Sequence, residues 1–168
     1  PRAGDGRLTA LIADESDGDR LTDAELVAQV ILLYVAGHET TVNLIGNGTL
    51  ALLRAPGELK KLHDAPQLAA NAVEEMLRYD SPVQLTTRFA KIDLEIQGMT
   101  IRRGQWVYLI LAAANRDPAQ FPEPDRFDVA REENKHIAFG AGPHFCLGAP
   151  LARLEARLVF RALLKRFP

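Results

Sequence analysis

Residues 22–54 contain no proline, and that run constrains the fold more than any other feature of the chain. Thr22-Asp23-Ala24-Glu25 has the spacing of a capping box: a hydroxyl at the helix start, and a carboxylate three residues on that reaches back. Pro56 prevents simple continuation beyond Arg54. The run therefore predicts one helix of roughly 30 residues, about 45 Å long. A helix of that length crosses a whole domain. Its apolar residues lie nearly all around, which predicts burial on most faces.

The remaining segments are shorter. Residues 8–16 read as a short helix and 14–20 as a polar loop. Residues 58–63 form another short helix, and Pro66 opens one that runs to Arg78 or Tyr79 and stops before Ser81-Pro82. Residues 85–90, 92–96 and 99–101 read as short strands around the turn signal Gly98, and 106–111 as a strand or the entry to a helix. Residues 117–134, rich in proline and charge, read as an irregular meander. A last helix runs over 146–166. The class is mainly α with a small β-sheet, an α+β arrangement.

Composition narrows function by exclusion. A net charge of −2 argues against a nucleic-acid binder. The single cysteine permits no internal disulfide and no CxxC pair. The most apolar stretch, 26–36, is interrupted by Gln29 and too short to span a bilayer. The opening Pro1-Arg2-Ala3-Gly4-Asp5-Gly6 is polar rather than a signal peptide. A soluble cytoplasmic protein follows, with no membrane and no nucleic-acid partner. Gly140-Ala141-Gly142 begins like a dinucleotide fingerprint, but Phe145 stands where the third glycine belongs.

That cysteine is Cys146, in Phe139-Gly140-Ala141-Gly142-Pro143-His144-Phe145-Cys146-Leu147-Gly148. A lone cysteine is more often a buried structural residue. Here the glycines and proline make a folded loop, the last helix starts nearby, and a thiolate at a helix N-terminus is stabilised by backbone N–H groups and the dipole. The glycines let the backbone approach a large flat ligand, and Phe139 and Phe145 supply a dry wall. The decapeptide fits Phe-Gly-x-Gly-x-His-x-Cys-x-Gly, which resembles the haem-binding loop of the cytochrome P-450 (haem-thiolate monooxygenase) superfamily, soluble bacterial type. The resemblance covers nearly the whole chain and only the C-terminal portion of the family fold. It implies that 1–168 is the C-terminal part of a single domain whose N-terminal half is absent.

Further motifs extend the resemblance. Ala36-Gly37-His38-Glu39-Thr40-Thr41 puts a glycine and two threonines in a helix interior, where they are poor choices. Thr40 can bond back to the carbonyl of Ala36 and open or bend the helix there. By itself the hexapeptide reads as a packing glycine beside satisfied threonines. It looks like the family motif over the distal haem face, which implies Thr40 as the oxygen-activating hydroxyl, Glu39 as the proton-relay acid, and Ala36 and Gly37 as the oxygen groove. Glu75-Met76-Leu77-Arg78 places an acid and a base on one helix face. It resembles the family's buried Glu-x-x-Arg pair, and 121–127 resembles the meander segment whose arginine, here Arg126, joins that pair in a structural network.

The resemblance also implies that Cys146 ligates the iron of haem b (iron protoporphyrin IX), with Phe139, Gly140 and Gly148 against it. Arg88 and His144 would contact the haem propionates, a role for which the arginine fork is suited. Val83, Gln84 and Leu85 would face the substrate pocket, ordinary core packing being an equal alternative for each. Arg153, Arg157, Arg161 and Lys165 form a basic stripe at four-residue spacing: a solvated face, inward structural arginines, or part of the surface where an acidic electron donor docks. The implied activity is activation of O2 at a Cys-ligated haem and insertion of one oxygen atom into a small apolar organic substrate, by hydroxylation or epoxidation. Electrons would come from NAD(P)H through a ferredoxin-type donor. The alternatives are a peroxide-driven haem-thiolate enzyme, against which Thr40 and Glu39 argue, and an isolated fragment without haem or activity.

Overall fold

The computed structural model describes residues 15–16 and 19–167. The chain divides into two compact units, one ending at Glu39 and the other beginning at Thr40.

In the first unit, β1 (Glu15–Ser16) and β2 (Asp19–Arg20) form a short antiparallel hairpin. This corrects both readings of that region. Residues 15–16 are strand rather than helix, and part of the expected polar loop is paired; residues 8–14 lie outside the described ones. Helix α1 (Asp23–Arg54) follows, 32 residues long. The capping box forms: the Thr22 N–H donates to Glu25 Oε2 at 2.8 Å, and the Glu25 N–H donates to Thr22 Oγ1 at 3.3 Å. Those bonds from Thr22 hold the Glu25 carboxyl below its ordinary pKa. The expectation of burial on most faces fails over the helix's first half. Val27, Ile31, Leu32 and Tyr34 are all exposed. All-round apolarity states what a helix must be given to pack against, and the described residues do not supply it.

In the second unit the same helix carries a buried stripe of Leu44, Gly48, Ala51 and Leu52, at the spacing of one helical face. Helix α2 (Pro56–Asp64) begins on the proline itself, whose fixed φ and missing N–H suit a first turn. A 3-10 turn over Pro66–Leu68 leads into α3 (Ala69–Tyr79). Helix α5 (Ala149–Arg166) closes the chain, after the single-turn α4 (Leu111–Ala114). The core lies where α1, α3 and α5 meet, around Leu44, Val73, Met76, Ala156 and Phe160. A Cβ added to Gly48 would come within 2.7 Å of both Met76 Sδ and Phe160 Cζ, so glycine is what lets the three helices close.

The strands make separate two-stranded ladders rather than one sheet. Strand β3 (Thr86–Phe89) pairs antiparallel with β6 (Trp106–Leu109), Thr86 opposite Leu109. Strands β4 (Leu94–Ile96) and β5 (Met99–Ile101) form a hairpin turned at Gln97 and Gly98, with φ of 50° and 78°. Two successive positive φ values match the twist of a tight hairpin. Residues 117–134 have no helix or strand. Among the described residues no helix is long and apolar enough to cross a membrane.

Candidate functional site

The loop before α5 is built by its glycines. Gly140 and Gly142 have φ of 73° and 71°, a region that disfavours side chains. The chain turns back on itself so that the Cys146 N–H donates to the Phe139 carbonyl at 3.0 Å, and the Phe145 N–H to that of Gly142 at 3.0 Å. A 3-10 turn over Gly142–His144 lies between them. Phe139 and Phe145 meet edge to face, ring centroids 6.2 Å apart. Cys146 is exposed, and Phe145 and Leu147 beside it are 51% and 92% exposed. The expected helix start at Cys146 is displaced: α5 begins at Ala149, Pro150 favouring the first turn, and the cysteine stays in the loop. Gly148 is less constrained than the motif suggests, since an added Cβ would stand 3.9 Å from Cys146 Sγ, an ordinary contact.

Behind the loop lies a buried ion pair. Arg78 and Glu75 are both fully buried. Arg78 Nε and Nη2 donate to the two carboxylate oxygens of Glu75, each at 2.8 Å. The remaining N–H groups donate to the carbonyls of Asn115, Pro124 and Arg126, so every guanidinium donor is used. Glu75 also accepts from the Asp128 N–H at 3.0 Å, Arg131 Nε at 3.1 Å and Asn134 Nδ2 at 3.0 Å. The third arginine is therefore Arg131 rather than Arg126, a correction with a simple cause. Arg126 turns its carbonyl inward to Arg78, which sends its side chain out to Glu123 at 2.9 Å. Asn115, missed from sequence, is also fully buried; it donates to Ser81 Oγ at 2.9 Å and accepts the Ile137 N–H at 2.8 Å, tying α4 to the loop's approach.

A second carboxylate, also missed, faces the other side of α3. Glu74 accepts from Arg153 Nε at 2.7 Å and Nη2 at 2.9 Å, and contacts His136 Nε2 at 3.0 Å. Burial pushes its carboxyl up, but the bonds to His136 and Arg153 and the guanidinium charge outweigh this and hold the pKa at about 2. The Arg153 guanidinium lies 4.6 Å from the Phe139 ring centroid. Of the basic stripe, Arg153 is thus an inward structural arginine, while Arg161 and Lys165 are exposed and Arg157 is half-buried. Thr41 Oγ1 donates to Glu155 Oε2 at 3.3 Å, joining α1 to α5.

The other expected positions are as follows. Ala36, Gly37 and Glu39 are exposed, in the first unit; Thr40 is half-buried, in the second. The helix is uninterrupted through this hexapeptide. Arg88 and His144 are exposed; Arg88 Nη1 donates to Thr86 Oγ1 at 3.2 Å and to the Thr87 carbonyl at 2.8 Å. Val83 and Leu85 are exposed, and Gln84 turns its amide to the Ser81 carbonyl at 2.7 Å and to Asp80 Oδ1 at 3.1 Å.

This chemistry fits a haem. A cysteine thiolate is a soft ligand for iron. It stands exposed among bare apolar side chains in a loop whose backbone is internally bonded. Among the described residues no three His, Cys, Asp or Glu side chains cluster to hold a bare metal ion. A single protein ligand suits a metal whose other ligands come from a macrocycle.

Comparison with known proteins agrees. The family model for cytochrome P-450 matches residues 5–67 and 65–168. The biotin biosynthesis cytochrome P-450 of Bacillus subtilis (strain 168) is 51% identical over 161 residues, which are 96% of this chain and 41% of that protein. The vitamin D(3) 25-hydroxylase of Pseudonocardia autotrophica is 54% identical over 95% of this chain and 40% of its own. The solved structure of the bacillaene polyketide synthase cytochrome P-450 PksS of Bacillus subtilis 168 superposes with a TM-score of 0.91 at 50% identity, covering 95% of this chain and 42% of that one. The chain thus spans about two fifths of the length of the relatives it matches.

Proposed function

The chain belongs to the cytochrome P-450 family, and from that premise we propose that it is the C-terminal part of a haem-thiolate monooxygenase that acts on an apolar organic substrate. The observation that carries this reading is the Cys146 loop, a lone exposed thiol in a glycine-turned cradle beside Phe139 and Phe145. When bound, haem b supplies reductive activation of O2 and transfer of one oxygen atom to the substrate, the other leaving as water.

This chain's residues do the rest. Cys146 Sγ, as thiolate, is the protein ligand to iron, with Phe139, Gly140 and Gly148 giving it close approach and a dry wall. Arg88 and His144, both exposed, are the groups to bind the propionates. Arg88 Nη1 bonds to Thr86 and Thr87 of its own strand, and those bonds are exchangeable for a carboxylate. Thr40 Oγ1 holds oxygen and passes a proton to it, and Glu39 resupplies that proton, while Ala36 and Gly37 leave room beside them. Val83 and Leu85 offer apolar surface to the substrate; Gln84 orients the loop that carries them. The Glu75–Arg78–Arg131 network keeps the meander fixed behind the thiolate loop. Electrons come from NAD(P)H through a separate ferredoxin-type donor, in the cytoplasm.

The test is coupling in the haem-loaded full-length gene product, supplied with a surrogate ferredoxin, NAD(P)H and an apolar substrate. The unmodified protein converts most of the O2 it consumes into hydroxylated or epoxidised product. Thr40→Ala still consumes O2 but releases it mainly as hydrogen peroxide. Unchanged coupling in that variant overturns the role of Thr40. Turnover by added peroxide alone, and none with O2, overturns the monooxygenase reading.

A further inference from the structure

Resting on the reading of Cys146 as the haem ligand, we infer that Glu74, Arg153 and His136 form a positioning clamp that fixes Phe139 and, through it, the backbone of Cys146. Three separate parts of the chain converge on one carboxylate. Glu74 comes from α3, Arg153 from α5, and His136 from the segment that enters the loop. Both contacts from Arg153 are short, 2.7 and 2.9 Å, in the parallel geometry that a guanidinium makes with a carboxylate. The His136 side chain is only 2% exposed, so its bond at 3.0 Å has little competition from water.

The clamp reaches the thiolate loop through one ring. The Arg153 guanidinium lies 4.6 Å from the Phe139 centroid, and the His136 ring lies 6.0 Å from it. The carbonyl of the same Phe139 accepts the Cys146 N–H at 3.0 Å. Gly140 and Gly142 stand between those residues, and glycines leave a loop free to pivot. A restraint on Phe139 from outside the loop is therefore what sets where Cys146 sits. The Glu75–Arg78 network reaches the loop's approach at Asn134 and, through Asn115, at Ile137, whereas the clamp meets the Phe139 ring itself. Arg153 is a positioning residue and not a catalytic one. Lysine could keep its charge but not its planar fork over the ring.

The experiment compares Arg153→Lys and Glu74→Gln with the unmodified full-length gene product. The first readout is hydrogen exchange at the Cys146 amide in the haem-free protein. The second, after haemin loading, is the share of the reduced CO complex with the strongly red-shifted Soret band of thiolate ligation. In Arg153→Lys the unfolding midpoint stays close to that of the unmodified protein, the Cys146 amide exchanges roughly tenfold faster, and the thiolate share falls. Glu74→Gln moves both readouts further in the same direction; should it not fold, Arg153→Lys decides alone. An unchanged Cys146 exchange rate in Arg153→Lys overturns the clamp, whatever haem does. A red-shifted band missing from the unmodified protein overturns the reading of Cys146 instead, and the exchange comparison still judges the clamp.

Discussion

At the scale of single residues, the buried Glu75–Arg78 pair is where a change is most costly. Both side chains are fully buried and every donor of Arg78 is engaged, so removing one partner leaves an uncompensated charge in the interior. Arg78→Met is expected to destabilise the chain by about 3–5 kcal/mol, read as the loss of urea midpoint. Arg126→Met, whose side chain is exposed, is expected to cost little. Equal losses in the two variants would contradict the assignment of the third arginine to Arg131. Glu74 makes a pH prediction. Its folded pKa of about 2 lies below the ordinary 4.5, so the stabilisation it contributes is complete above 4.5 and is lost as pH falls from there towards 2. Urea midpoints should fall across that window in the unmodified chain and fall less in Glu74→Gln. The Glu75–Arg78 spacing was legible in the sequence because three residues apart means one helix face. Arg131 was not, because an irregular segment has no period that tells which side chains turn inward.

At the scale of elements, punctuation was legible and packing was not. Thr22 and Glu25 stand where a capping box requires them, Pro66 opens the segment it was expected to open, and Pro56, expected only to stop α1, also begins the helix that was read from residue 58. The first hairpin was misread, since its two-residue strands are too short for alternation to register. The two glycines in the C-terminal third of α1, Gly46 and Gly48, show the same limit. Nothing distinguishes Gly46 from Gly48 in sequence, yet a Cβ at Gly46 meets nothing within 4 Å, whereas one at Gly48 strikes Met76 and Phe160. Gly46→Ala is therefore expected to stabilise the helix by about 0.5–1 kcal/mol. Gly48→Val is expected to destabilise it by about 1–3 kcal/mol through overpacking. Thermal unfolding of the two variants checks this, and a stabilised Gly48→Val would mean that α1, α3 and α5 do not close around that position.

At the scale of the whole molecule, the described residues gather a core around α1, α3 and α5 and leave a great deal of apolar surface bare. Val27, Ile31, Leu32, Tyr34, Trp106 and Leu147 are all more than half exposed. Exposed apolar side chains of that size bind hydrophobic dyes and drive self-association, and sedimentation of the 168-residue chain at rising concentration should show it. A monodisperse monomer without dye binding would contradict the exposure described. The motifs around Cys146, Thr40 and Glu75 pointed to the family, which the family match bears out, because each packs specific residue types into a short span. The bare face was not, because a helix apolar on every side looks the same whether or not its neighbours are present.

The proposed role of Cys146, presenting a thiolate to haem iron, is the one on which the other roles depend. The absorption spectrum of the reduced, CO-bound protein after haemin loading, set beside that of Cys146→Ser, tests it most directly. A strongly red-shifted Soret band is expected in the unmodified protein and lost in the serine variant. The same band in both proteins, or in neither when the full-length gene product is used, would contradict it.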